Sequence, residues 1–236
     1  MDPTVLNTLN AERRARRAAI LVTDLGDGSS RIVRESDTVA GGLGEATRQA
    51  FRTGRSQAIE VDGRTLFLNA HLPPPRIVIV GAVHISQALA PMARLAGFDV
   101  EIIDPRTAFA TPERFPEVDL HAEWPQDVLG RKPLDAFTAL AAVTHDPKID
   151  DFPLLSALEA GCFYVGALGS RKTHAKRVER LLSQGATQAQ IDRIRAPIGL
   201  DIAASSPAEI AVAVLAQIVQ ALRTRGTERA ETAAAE

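Results

Sequence analysis

The polar residues of this 236-residue chain gather at five points, each beside a run of Ile, Val and Ala. Gly81-Ala82-Val83-His84 follows Arg76–Val80, and Asp104-Pro105-Arg106 follows Asp99–Ile103. Thr144-His145-Asp146 follows residues 138–143, and Gly166-Ala167-Leu168-Gly169-Ser170-Arg171-Lys172 closes the run at 163–166. Pro197-Ile198-Gly199-Leu200-Asp201 adds a later loop. Buried apolar strands gain nothing from polar ends, so these residues are the candidates for ligand contact. Gly81, Gly166, Gly169 and Gly199 permit sharp turns or a close backbone approach. The stretch 169–172 opens a helix, where free amides, the Ser170 hydroxyl and the cations Arg171 and Lys172 make a phosphate or carboxylate site. Ser170 could instead be a plain N-cap with both cations solvated. Cations at a helix start oppose the macrodipole unless an anion sits there, which favours the anion site. His84 and His145 could move protons, ligate metal or hydrogen-bond a heteroaromatic ring. Neither has a partner at HxxxH or HxH spacing, so metal ligation is disfavoured and no metal site is assigned. Asp104 and Arg106 could hold a ribose or another polar head, or form a local ion pair within a turn. Asp146 and Asp201 complete the set. Asp150 and Asp151 read as a helix start.

The elements that must position these residues follow from hydrophobic pattern. Arg76–Val80 is β-branched and suits a strand buried on both faces. Gly81 turns the chain, and 87–96 carries apolar residues at helical spacing, with Leu89, Met92, Ala93 and Ala96 on one side. Asp99–Ile103 is the second strand, and Asp104 lies 23 residues after Gly81, near the roughly 20-residue offset of a ribose-binding carboxylate. That is the first unit of a dinucleotide-binding fold. Its glycine fingerprint is broken, because Val83 stands where a glycine lets backbone approach a pyrophosphate and Ser86 stands at the third glycine position. Further strands are expected at 118–122, 138–143 and 163–166, and a proline-rich loop at 107–116. A basic amphipathic helix runs over 170–184, closed by Gly185. Ser206-Pro207-Ala208-Glu209 is a capping box that opens a last helix with Ile210, Val214, Ile218 and Leu222 on one face.

Before residue 72 the pattern changes. A helix over 3–15 precedes a hairpin of 18–25 and 31–34, a helix from 41 to near Gly54, and a second hairpin of 57–61 and 65–69. Leu72-Pro73-Pro74-Pro75 is a stiff linker. The expected organisation is therefore a small α+β amino-terminal domain (1–72), a Rossmann-like parallel sheet with helices on both faces (73–226) and a flexible tail (227–236).

Composition narrows the function classes. A formal charge of −2 and 4% aromatic residues give no basis for nucleic acid or a membrane surface as partner. Cys162 is the single cysteine, which excludes an intramolecular disulfide and makes the cytoplasm the default location. Its expected state is buried and inert. The arginines at 13, 14, 16 and 17 precede only a short apolar run, too short for a signal-peptide core or a membrane span. GxSxG and GxxxxGK[ST] are both absent, so hydrolase and phosphate-loop NTPase chemistry lack support.

Taken in order, GAVH (81–84), DPR (104–106), THD (144–146), YVGALGSRKT (164–173), APIGLDI (196–202) and SPAEIAVAVLAQI (206–218) resemble the XdhC/CoxI family, accessory factors of molybdenum hydroxylases such as xanthine dehydrogenase and carbon monoxide dehydrogenase. The amino-terminal GSSR (28–31) and GGLGEA (41–46) are similar to that family's GSxPR and GGCxEA, with Leu43 in place of the cysteine. The resemblance implies a cytoplasmic chaperone without turnover of its own and without catalytic residues. It would bind the molybdopterin form of the molybdenum cofactor through Gly81, His84, Asp104, Arg106, His145, Asp146, Gly166, Gly169, Ser170, Arg171, Lys172, Gly199 and Asp201. It would guard the cofactor during sulfuration by a cysteine desulfurase and hand it to the large subunit of the apo-hydroxylase; a homodimer is compatible with proteins of this type. The lesser alternative is an NAD(P)-dependent oxidoreductase with His84 or His145 as acid. Asp104 would then favour NAD, and Val83 opposes that reading. A third is a degenerate scaffold for protein contacts, against which the dense polar strand ends speak.

Overall fold

The computed structural model describes residues 2–225, so the tail expected at 227–236 lies outside the described residues. The chain divides into two compact units between Pro73 and Pro74. Residues 72–75 carry neither helix nor strand.

The first unit is built on an antiparallel four-stranded sheet of order β2-β1-β4-β3, from β1 (Ala19–Asp24), β2 (Ser30–Arg34), β3 (Gln57–Val61) and β4 (Arg64–His71). Strand β1 is central, and its first four residues, Ala19, Ile20, Leu21 and Val22, are apolar and buried because both of its faces are covered. Ile20 and Val22 pack with Val33, Ala50 and Leu68 beside helix α2 (Gly41–Thr53). Ala19 and Leu21 pack on Leu9 of helix α1 (Pro3–Arg14). Leu43 lies against the first of these clusters. Gly54 ends α2 in the left-handed region, at φ +68°.

The second unit alternates strand and helix: β5 (Arg76–Val80), α3 (His84–Leu95), β6 (Asp99–Ile103), β7 (Asp119–His121), α4 (Pro125–Arg131), β8 (Thr138–Ala142), α5 (Pro147–Glu159), β9 (Tyr164–Ala167), α6 (Arg171–Ser183), α7 (Gln188–Ile191), β10 (Ile194–Arg195) and α8 (Pro207–Thr224). Its six strands are all parallel, in the order β10-β9-β8-β5-β6-β7. That is the dinucleotide-binding order 3-2-1-4-5-6, in which the strand order reverses between the first and fourth strands. Alternation along β5 feeds two cores. Ile77 and Ile79 pack with α3 and α8, while Val78 and Val80 face α4, α5 and α6. All four are fully buried, which explains a β-branched run without polar interruption.

Sequence pattern places α1, α2, α6 and α8 to within one residue, while α3 and α5 both begin three residues earlier than expected. α3 begins at His84 rather than at Gln87. The turn from β5 needs only Gly81–Val83, since the Ser86 hydroxyl donates back to the Gly81 carbonyl within the first helical turn. The capping box on α8 forms as its residues dictate, with Ser206 Oγ accepting from Glu209 N–H and the Glu209 carboxylate accepting from Ser206 N–H. Among the described residues no helix is long and apolar enough to cross a membrane.

Candidate functional site

The strand order reverses between β5 and β8, and in open parallel sheets ligands bind outside the carboxyl ends of the strands at that point. Gly81 sits there with φ +122°. A Cβ on it would lie 2.8 Å from Thr144 Cγ2 and 3.2 Å from Val143 Cγ2, so only glycine lets the end of β5 cross the end of β8 this closely. Asp104, wholly buried, fixes the same loop. Its Oδ2 accepts from the Ala82 N–H at 2.7 Å and from the Arg106 guanidinium at 2.7 Å. Its Oδ1 accepts from the Arg106 N–H and Nε, both at 2.9 Å. Burial works to raise this carboxyl, yet the Arg106 guanidinium and the two amides outweigh it and hold the group below the usual carboxylate range. Arg106 stacks on the Phe109 ring at 4.6 Å. Sequence reasoning left open a ligand head or a local ion pair for Asp104 and Arg106, and the geometry makes the ion pair. Arg114, which sequence reasoning passed over, clamps this end by donating to the carbonyls of Ala82 (3.1 Å) and Phe109 (2.7 Å) and to Gln87 (3.1 Å). His84 lies exposed at the start of α3.

Across the reversal, Thr144, His145 and Asp146 lead into α5. Asp146 is the N-cap, its Oδ1 accepting from the Lys148 N–H at 2.9 Å, with Pro147 at the first helical position. The expectation that Asp150 and Asp151 start this helix is therefore corrected: they lie one turn inside it and are buried. The Thr144 hydroxyl donates to Asp150 Oδ1 at 2.7 Å and accepts from the Asp146 N–H at 3.0 Å. His145 is exposed and holds φ +66°, a conformation uncommon outside glycine.

Between this segment and α6 lies a cavity of about 350 Å³, lined by His145, Pro147, Asp150 and Asp151 on one side and by Lys172, Thr173, Lys176, Arg177 and Arg180 on the other. Helical spacing puts the α6 cations there, since 172, 176 and 180 recur every turn. Arg180 and Asp151 form a two-pronged ion pair, Nε to Oδ2 at 2.6 Å and Nη2 to Oδ1 at 3.0 Å. Arg177 is 2% exposed. Its Nη2 donates to the Leu168 carbonyl at 2.8 Å, but Nε and Nη1 are buried with no hydrogen-bond partner among the described residues, and so is Asp150 Oδ2. Burial pushes the Asp150 carboxyl up to about 6, against the opposing pulls of the Thr144 hydrogen bond and the Arg177 charge.

The remaining predicted site residues separate into groups. Ser170 is the N-cap of α6, accepting from the Thr173 N–H at 3.2 Å, and Gly169 precedes it at φ +135°. Arg171 and Lys172 are exposed, and Lys172 reaches the cavity. Gly166 and Gly199 serve packing on the α8 side of the sheet instead. A Cβ on Gly166 would meet Tyr164 Oη at 2.5 Å and Ile198 Cγ1 at 2.7 Å. Gly199 donates its N–H to Gln217 Oε1 at 2.9 Å, and Tyr164 donates to the same oxygen at 2.7 Å. Asp201 is exposed. Cys162 is buried, its thiol pushed up to about 12 by burial, which leaves it inert. Metal-ligating types do converge at Glu101, Asp119 and His121, a group that includes neither predicted histidine. Lys132 bonds Asp119 there and Arg76 lies 3.7 Å from Glu101, so the group is an ion-pair network. Asp150, Lys176, Arg177 and Arg180 are the site residues that sequence reasoning missed. The one signal was an arginine four residues before Leu181, on the inward face of α6.

Comparisons with known proteins agree with this architecture. Residues 77–218 match the family model of the XdhC Rossmann domain. The chain is 33% identical over 156 residues to a probable xanthine dehydrogenase subunit of Bacillus subtilis (strain 168), covering 66% of this chain and 45% of that protein. It is 31% identical over 146 residues to the molybdenum cofactor insertion chaperone PaoD of Escherichia coli (strain K12), covering 62% and 40%. The chain thus spans less than half the length of either relative. In fold it is similar to a crystal structure of a xanthine dehydrogenase from Bacillus halodurans, with a TM-score of 0.62 at 24% identity over 93% of this chain and 64% of that one.

Proposed function

The chain belongs to the XdhC family, and from that premise we propose that it binds the molybdopterin form of the molybdenum cofactor at the carboxyl ends of its parallel strands and delivers it to a molybdenum hydroxylase. One observation carries this reading: a basic cavity beside the point of strand reversal, where Nε and Nη1 of the buried Arg177 and Oδ2 of the buried Asp150 have no hydrogen-bond partner among the described residues. That donor set fits an anionic, polar ligand that offers both acceptors and donors. Two relatives, one named as a cofactor insertion chaperone and the other as a probable xanthine dehydrogenase subunit, support the cofactor and the client class.

Within this proposal Lys172, Lys176 and Arg177 meet the anionic part of the cofactor, with Gly169, Ser170 and Arg171 at the cavity's edge. Gly81, His84, His145 and Asp146 border its heterocycle. Asp104 and Arg106 hold the loop that carries Gly81, Gly166 and Gly199 act only through the packing behind β9, and the exposed Asp201 is proposed as an outer contact of the cofactor. The cofactor supplies the redox metal of the client, and no residue here is assigned to turnover. The proposal includes a cytoplasmic setting, sulfuration of the held cofactor by a cysteine desulfurase, release to the large subunit of the apo-hydroxylase, and a homodimer. The two units 1–72 and 73–226 are proposed to act as separate domains in that transfer.

An NAD(P)-dependent oxidoreductase is not favoured. Asp104, the carboxylate it would need at a ribose, spends both oxygens on Ala82 and Arg106, and the Ala82 N–H faces that carboxylate rather than a pyrophosphate. The test is to express the full chain in a host that makes molybdopterin, purify it and assay bound pterin by oxidation and fluorescence. Bound pterin that activates an apo-hydroxylase is the expected result. An empty protein, with hydroxylase activity unchanged on deleting the gene, overturns the proposal. A micromolar Kd for NAD by calorimetry would restore the oxidoreductase.

A further inference from the structure

We infer that the cavity between α5 and α6 is a phosphoryl-binding subsite centred on Arg177, a position with no part in the strand-end motifs. The inference rests on the proposed cofactor reading only for the identity of the natural ligand. The chemistry of the cavity stands on its own residues. Arg177 lies on the inward face of α6, one turn before the fully buried Leu181. A guanidinium cannot shed its charge in a protein, and at 2% exposure two of its nitrogens have no hydrogen-bond partner among the described residues. Placing it there is costly unless a ligand accepts those hydrogen bonds.

The surrounding charge points to a phosphate rather than a neutral ligand. Arg180 is matched by Asp151, which leaves Lys172, Lys176 and Arg177 as the positive charge of the cavity. Lys172 and Lys176 stand four residues apart on one helix face, where like charges repel unless an anion lies between them. The N-terminus of α6 is not the anchor, because the Ser170 hydroxyl already caps the Thr173 N–H. Below about pH 6, with Oδ1 accepting from Thr144 and the group pushed up to about 6, Asp150 Oδ2 carries the proton and can donate it to a phosphate oxygen, and an anion beside the carboxyl favours that protonated form further. A volume of about 350 Å³ exceeds a lone phosphate and suits a phosphate monoester with part of its attached group. The same chemistry could come from the terminal phosphate of the nucleotide-free cofactor or from the pyrophosphate of its dinucleotide form.

The test is calorimetric titration of the full chain with inorganic phosphate and with pyrophosphate. Wild type is compared with Arg177→Lys and with the double substitution Lys172→Ala, Lys176→Ala. Both lysines are exposed, so the double variant is expected to fold, and its thermal unfolding is measured beside the wild type. The expected result is saturable binding that weakens tenfold or more in each variant. Tighter binding of pyrophosphate assigns the subsite to the dinucleotide form, and equal or tighter binding of phosphate assigns it to the monoester. No binding at millimolar phosphate or pyrophosphate, or unchanged affinity in both variants, overturns the inference. Co-purified molybdopterin in a protein that ignores both anions sinks the subsite and spares the cofactor proposal. Anion binding without molybdopterin does the reverse.

Discussion

Asp104 and Asp150 are equally hidden, at 0% and 1% exposure, the first just past the end of β6 and the second one turn inside α5. Their surroundings push them in opposite directions. Asp104 accepts from two amides and a guanidinium and stays charged below the usual carboxylate range. Asp150 has the Thr144 hydroxyl, the charge of Arg177 without a hydrogen bond to it, and weaker pulls from the Thr144 and His145 amides, and burial wins, lifting it to about 6. The first is finished structure: it ties the loop after β5 to the loop after β6, and no valence is left for a ligand. The second is half of a site. Buried charge with its partners in the protein holds the scaffold, whereas buried charge without them marks where something else binds.

The largest effect should come from breaking the finished half. Asp104→Ala removes four hydrogen bonds and leaves Arg106 without its carboxylate, so unfolding in urea should show a loss of about 3–5 kcal/mol, the scale for one partner of a buried pair. A loss under about 1 kcal/mol, within the range of a surface pair, would mean that the loop is held by Arg114 instead. The unfinished half should respond with the opposite sign. Asp150 has a folded pKa above its unfolded one, so the folded state holds the extra proton. Its contribution is complete below about 4 and is lost as pH rises through about 6. Asp150→Asn, which cannot ionise, should therefore be more stable than wild type at pH 8 by up to about 3 kcal/mol, at roughly 1.4 kcal/mol per unit. The gain should vanish near pH 4. His145, Asp151, Lys172, Lys176, Arg177 and Arg180 face the same cavity and are unchanged between the two proteins. A gain that does not vary with pH would show that packing, not charge, sets the effect.

The same contrast explains what the sequence reveals. The parallel sheet is legible because strands buried on both faces leave a continuous run such as Ile77–Val80, and the helix ends are legible because Asp2, Ser170 and Ser206 are residues that cap. Motifs at strand ends such as DPR and GAVH stand out for the same reason: their polar residues interrupt apolar runs. Yet several of them proved to be internal fastenings. The cavity is illegible because its residues hide in ordinary patterns. Arg177 sits in a run of Lys and Arg that looks solvated, and Asp150-Asp151 looks like a cap while Asp146-Pro147 is the real one. Only the three-dimensional partners of each side chain separate Arg177 from Arg180.

Gly166→Ala probes whether the two sides of β9 are independent. Its Cβ would press on Tyr164 and Ile198 behind the sheet, so about 1–3 kcal/mol of stability should be lost through overpacking while phosphate affinity in the α5–α6 cavity stays as in the wild type. Lost affinity would join the two sides into one site.

The smallest change in stability is expected at a substitution that weakens anion binding tenfold or more. Lys172→Ala with Lys176→Ala removes two exposed ammonium groups that make no hydrogen bond to the scaffold, so thermal unfolding should shift by less than about 0.5 kcal/mol. The sign should be favourable, because a like-charge pair four residues apart costs roughly 0.2–0.5 kcal/mol and alanine is the better helix former. A protein made more stable by the very substitution that weakens its grip on an anion has placed those charges for the ligand and not for the fold. If the double variant instead loses stability by about 1 kcal/mol or more, on the scale of a lost scaffold hydrogen bond, the lysines belong with Asp104 among the fastenings and the contrast between the two halves fails at this point.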